Sequence, residues 1–161
     1  DIRVKEAVYA RSDFHARYSV ISKTYEYRIV NRQEPDLFLR FYTWHVALRL
    51  DLGKMRHCLA SLLGRHDFSS FRSSGSGNMN PVREMIRAEI HESEGGLLRF
   101  VFEADGFLRH MVRNIVGTVV DVGRGRIEAE AFDAIFRFED RQKAGIKAPP
   151  QGLFLTMVKY D

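Results

Sequence analysis

Residues 106–117, reading Gly-Phe-Leu-Arg-His-Met-Val-Arg-Asn-Ile-Val-Gly, restrict the folds open to this chain more than any other stretch. On a helix at about 100° per residue, Phe107, Met111, Ile115, Val119 and Val122 make one apolar stripe. Arg109, His110, Arg113, Asn114, Gly117 and Asp121 fall on the other side. Such a helix must lay its stripe against another element, and the remaining chain offers mostly strands. Residues 23–31 alternate so that Tyr25, Tyr27 and Ile29 share a face. Residues 82–92 and 97–104 read as two strands joined by a tight turn at Gly95-Gly96.

The same reading extends along the chain. Residues 2–10, 14–20 and 41–48 look extended, the last with Tyr42, Trp44 and Val46 on one side. Asp51 has the place of an N-cap for a helix carrying Met55, Leu59, Leu62 and Leu63, closed by Gly64. Residues 66–71 form a short aromatic turn, and 73–80 a polar, Gly-rich loop expected to be mobile. Residues 129–138 suggest a helix with Phe132, Ile135 and Phe136 inward. A rigid turn at 148–152 precedes a last strand at 153–160. No internal repeat or long linker divides the chain. The expectation is a single α+β domain over residues 1–161, with helices covering one face of a mainly antiparallel, or mixed, sheet.

Composition narrows the partners. With 45% apolar and 12% aromatic residues the chain has the material for a core. No apolar run approaches the roughly 18 residues of a membrane span, and no signal-peptide pattern is present, so no membrane partner is expected. The lone Cys58 excludes an intramolecular disulfide and suits a reducing cytoplasm. A net charge of +4 and a pI near 9.4 make a polyanionic partner plausible. Of the 25 basic residues 19 are Arg, which suits phosphate contacts and base stacking, although a GC-rich genome gives the same bias. The chain opens at Asp1 without an initiator Met and reads as a piece of a longer protein.

Several chemistries are excluded by pattern. His15, His45, His57, His66, His91 and His110 form no metal-ligand pair with one another or with Cys58, so no metal is expected. No phosphate-cradling Gly loop and no serine nucleophile elbow occur. Cys58 sits on a helix face that reads as buried, which makes thiol chemistry unexpected. Asp13, Asp67, Asp105 and Asp121 each have an ordinary place, respectively a turn, a cap, a turn and a solvated helix face. Three clusters are left beside the arginine helix: Phe14-His15-Ala16-Arg17, Lys23-Thr24-Tyr25-Glu26-Tyr27 and His66-Asp67-Phe68-Ser69-Ser70-Phe71-Arg72. Arg109 and Arg113, one helical turn apart, have no acid at i+3 or i+4. They either belong to a solvated basic face or need a carboxylate or phosphate from elsewhere.

In order and spacing, these clusters resemble the tRNA pseudouridine synthases of the TruA type. Phe14 to Ser19 and Lys23 to Ile29 look like that family's central segment, and His66 to Phe71 like its H-D-F-x-S-F stretch. Pro81-Val82-Arg83, residues 106–117 and the turn at 148–153 are similar to its later motifs. The resemblance implies a tRNA-uridine isomerase that works without a cofactor on uridines of the anticodon stem-loop, as a cytoplasmic homodimer. It implies that Arg113 aims and ionises a catalytic aspartate, with Arg109 as second choice or a phosphate contact beside His110. It places Tyr25 against the target base. It puts Arg17, His15, Arg28, Arg72 and Arg83 along the RNA path. The family's aspartate lies in an R-T-D-A-G-V-H motif that these 161 residues do not contain, so the chain by itself is expected to be inactive. The alternative is an α+β module that holds structured RNA and performs no chemistry.

Overall fold

The computed structural model describes residues 2–73, 75, 80–138 and 144–161, with backbone alone for 136–138. Phe136 as an inward side chain, and most of the 73–80 loop, therefore lie outside the described residues. Strand β1 (Val20–Val30) is flanked on one side by β5 (Leu97–Ala104), antiparallel, with Tyr25 opposite Phe102 and Tyr27 opposite Phe100. On its other side its first part pairs with β6 (Leu153–Tyr160), antiparallel, and its last two residues with β2 (Trp44–His45), parallel. Beyond β5 come β4 (Val82–Ser93) and then β3 (Gly64–Asp67). Gly95 and Gly96, at φ 72° and 74°, close the expected hairpin between β4 and β5. A register shift between Met85 and Arg87 lets Met85, Ala88 and Ile90 all turn inward.

Three helices share one core with the sheet. In α1 (Leu52–Ala60) the Asp51 carboxylate accepts from Lys54 N at 3.0 Å, as its position suggested, and Met55, Cys58 and Leu59 are buried. In α3 (Ala129–Phe138) Phe132 and Ile135 are buried. Helix α2 (Met111–Gly123) packs against α1 and β1, and of its residues Arg113 alone is not buried.

This corrects the expected solvated face. Asn114 Nδ2 donates to Phe71 O at 2.7 Å, Thr118 Oγ1 accepts from Gly145 N at 2.9 Å, and Asp121 Oδ2 accepts from Ile146 N at 3.2 Å. Two loops cover the polar side of α2, and these side chains satisfy their backbone groups. Nor does the helix include Arg109: it starts at Met111, because His110 takes a left-handed φ of 61°. Arg109 and Arg113 are thus not one turn apart on a single helix.

Other expected strands are shorter or absent. Residues 2–10 form none and 14–20 are mostly turn, with Ile2, Val4, Val8 and Tyr9 exposed and no neighbour to pair with. Only Trp44 and His45 pair within 41–48, because Asn31 Nδ2 takes the carbonyls of Val46 and Leu48 in place of a strand. Leu63 is 45% exposed, since α1 ends at Ala60 and the chain swings into β3 at Gly64.

Candidate active site

The two tyrosines of β1 meet the start of α2 and the turn before β6. Tyr27 is fully buried, and its Oη donates to Pro149 O at 2.6 Å. Burial pushes its phenol well above the ordinary value of 10.0, with the Arg113 charge pulling the other way. Tyr27 is therefore a fixed donor, unsuited to taking up a proton. Tyr25 is half-buried, and Phe107 stands edge-on to its ring at 5.0 Å between centroids. Leu155 and Leu153 lie opposite Tyr25 and Tyr27 on β6. Gly152 lets the turn close on them, because a Cβ there would come within 2.8 Å of Arg28 O and 2.9 Å of Tyr27 Cζ.

Arg113 is clamped by main chain at both ends. Its Nε donates to Ala148 O at 2.7 Å, and its own carbonyl accepts from Ala148 N at 3.0 Å. No carboxylate among the described residues pairs with it. The fork is held by Nε, leaving its outer nitrogens to meet a planar anion. Gly117 makes this approach possible, because a Cβ there would land on the carbonyl oxygen of Ile146.

More cations gather at the head of α2. Arg109 O accepts from Ser73 N at 3.1 Å, and its Nη1 donates to Gly75 O at 3.3 Å. Arg83 donates to the carbonyls of Asn80 and Val82, and its Nε runs beside Gly106. Arg72 ends the 3₁₀ turn Ser69–Phe71, which Asn114 ties to α2. The His110 Nδ1 is buried without a partner, and burial, then Lys147, Arg113 and Arg109, hold its pKa below 6.5.

The other expected contacts are held elsewhere. His15 Nδ1 accepts from Arg17 N at 3.1 Å and Tyr18 N at 3.3 Å, in a turn that Tyr160 fastens to β6 through Ala16 O. The Arg17 guanidinium lies over the Tyr18 ring. Arg28 projects from the opposite face of β1 to Tyr25, pairing with Glu26 at 2.6 Å and stacking on Phe154. Sequence reasoning singled out neither Phe107 nor the carbonyls of Ala148 and Pro149 as parts of the site. The signal present was the rigid Pro-Pro turn, which says nothing of what it touches.

Among the described residues no three of His, Cys, Asp and Glu gather as a metal site, and no helix is long and apolar enough to cross a membrane. The Cys58 thiol is buried and pushed up to about 11, which makes it a poor nucleophile.

A sequence profile described as tRNA pseudouridine synthase matches residues 59–161, which hold α2, the closing turn and β6. The chain belongs to that family. Tyr25 and Tyr27 lie outside the profile but inside the whole-chain matches to pseudouridine synthases. The chain is 43% identical over 160 residues to the tRNA pseudouridine synthase A of Acetivibrio thermocellus, covering 99% of this chain and 65% of that protein. It is 43% identical over 161 residues to that of a Geobacillus species, covering 100% and 64%. With the Moorella thermoacetica protein of the same name the identity is 44% over 160 residues, covering 99% and 65%. The chain thus spans just under two thirds of the length of these pseudouridine synthases.

Proposed function

We propose that this chain is one α+β unit of a cytoplasmic tRNA pseudouridine synthase and carries most of the pocket in which a uridine is isomerised. The observation that carries the reading is Arg113, fastened by Nε to Ala148 O, facing no acid of its own and acting on the tyrosine face of β1. A guanidinium so placed suits a carboxylate brought by polypeptide beyond the span matched here. It would hold that carboxylate ionised and aimed at the sugar. The reaction breaks the bond between ribose C1′ and uracil N1, turns the base, and forms a bond from C1′ to C5, after which the proton on C5 leaves and N1 takes up a proton. Holding a detached base needs position and electrostatics rather than a cofactor. Tyr25, half-buried beside Phe107, is placed to lie against the base and to relay that proton, its hydroxyl passing its own proton on as it takes up the one from C5, whereas Tyr27 keeps its own.

The target must leave the stack to arrive here. Arg109, Arg72 and Arg83 around the head of α2 supply phosphate contacts. Arg17 and His15, in the turn before β1, extend the path, whereas Arg28 lies on the opposite face of β1, paired with Glu26. The substrate is the anticodon stem-loop of tRNA, and the complete enzyme is a homodimer. The test is release of tritium from C5-labelled uridine in tRNA by the complete protein. Arg113→Met is expected to lower turnover by roughly 100-fold or more with tRNA binding changed only a few-fold. Tyr25→Phe is expected to lower it by about 100-fold with the fold intact. Normal turnover in either variant removes the role given to that residue. The 161-residue chain alone is expected to release no tritium.

A further inference from the structure

His110 is the one non-glycine residue among those described with a left-handed backbone, a conformation unfavourable for any residue bearing a Cβ. It occupies the N-cap of α2 yet gives the helix no side-chain bond. Main chain opens the helix instead, with Met111 N donating to Leu108 O at 3.1 Å and Asn114 N to His110 O at 2.9 Å. The reversal turns Arg109 away toward Gly75 and starts α2 in the direction that brings Arg113 to Ala148. The ring itself has a buried Nδ1 with no partner. The charged groups acting on it are Arg109 from the preceding turn, Arg113 from α2 and Lys147 from the closing segment, all of them cations. No carboxylate acts on it among the described residues.

We propose that His110 is a positioning residue for Arg113: its left-handed backbone aims the start of α2, and its uncharged imidazole is a spacer among three cations whose protonation drives Arg113 off the Ala148 carbonyl. This rests on the pocket described above. Burial and the three neighbouring charges keep the proton off, so the ring is neutral at neutral pH. As pH falls through its lowered pKa, a fourth positive charge enters a cluster that has no acid to balance it. The cheapest relief is movement of the half-buried guanidinium, and the bond from Arg113 Nε to Ala148 is the one that breaks.

The experiment is the pH profile of kcat and KM for tRNA in the complete enzyme, with His110→Asn and His110→Ala. Asn accepts a left-handed backbone and never ionises; Ala resists that backbone. His110→Asn should keep kcat within about three-fold at about pH 8 and retain activity further into acid than the wild type. His110→Ala should lose kcat about ten-fold or more at every pH, with KM within about three-fold. An acid limb unmoved in His110→Asn, or equal kcat in the two variants at about pH 8, overturns the proposal. Should the Ala variant not fold, the titration of His110 by 13C-histidine NMR in the wild type decides. A midpoint below 6.5 supports the proposal and one at or above it overturns it. If the wild type releases no tritium, the proposed function fails, and the NMR titration still judges the state of the ring.

Discussion

Tyr27 donates a hydrogen bond from its phenol to Pro149 O, so a phenylalanine there leaves a part-buried carbonyl without its partner. The expected cost for Tyr27→Phe is about 1 kcal/mol, read as a lower urea midpoint at unchanged slope. The bond also has a pH signature. Folded Tyr27 holds its proton above the unfolded value of 10.0. Its contribution is therefore complete below pH 10.0 and is lost as pH rises through the raised folded value. The wild type should lose more stability than Tyr27→Phe between neutral and strongly alkaline solution, and equal losses would place the effect on other groups. Alternation put Tyr25 and Tyr27 on one face without ranking them, and only the family resemblance singled out Tyr25. Their difference comes from what each meets, Phe107 for one and Pro149 for the other, and the second contact spans 122 positions.

At the level of the element, α2 shows where reading polarity along a sequence stops working. Asn114, Thr118 and Asp121 have the periodicity of a wet face, and period alone cannot tell water from a loop that needs hydrogen bonds. The loops here are residues 71–73 and 144–148, and they use all three side chains. By contrast the Asp51 cap, the Gly95-Gly96 hairpin and the inward Phe132 and Ile135 were legible, because each depends on neighbours within a turn or two. The close approach at Gly117 belongs to the structure, which sets the Ile146 carbonyl where a Cβ would stand. Gly117→Ala should lower stability by about 3 kcal/mol, since a backbone carbonyl cannot step aside as a flexible side chain can. Gly125→Ala, with nothing within 4 Å but a φ of 70°, should cost only about 1 kcal/mol of backbone strain. Thermal unfolding of the two variants compares them directly, and equal losses would deny the close packing of the closing segment on α2.

For the whole molecule, the arrangement of arginines makes a prediction about salt. If Arg72, Arg83 and Arg109 contact phosphates, each Ala substitution should reduce the slope of log affinity for tRNA against log salt by about 0.7–0.9. Arg28→Ala should reduce it by less, because Glu26 already balances that charge at 2.6 Å. Titrating tRNA binding of the complete protein across salt concentrations gives these slopes. A slope unchanged by all three substitutions would remove the head of α2 from the RNA path. The α+β class and the β4–β5 hairpin followed from local pattern. The place of β6 beside β1 did not, since pairing between such distant segments leaves no mark in either one.

That pairing also fixes a time order for biosynthesis. Tyr27 emerges from the ribosome 122 positions ahead of the residue whose carbonyl accepts its hydrogen bond, and Arg113 emerges 35 ahead of its own anchor. At 5–20 residues per second, the first tyrosine bond waits about 6–25 s for its partner. Until then the nascent chain carries Arg72, Arg83 and Arg109 but no turn closed over Tyr27. The tyrosine face of β1 therefore closes only after residues 148–160 have emerged.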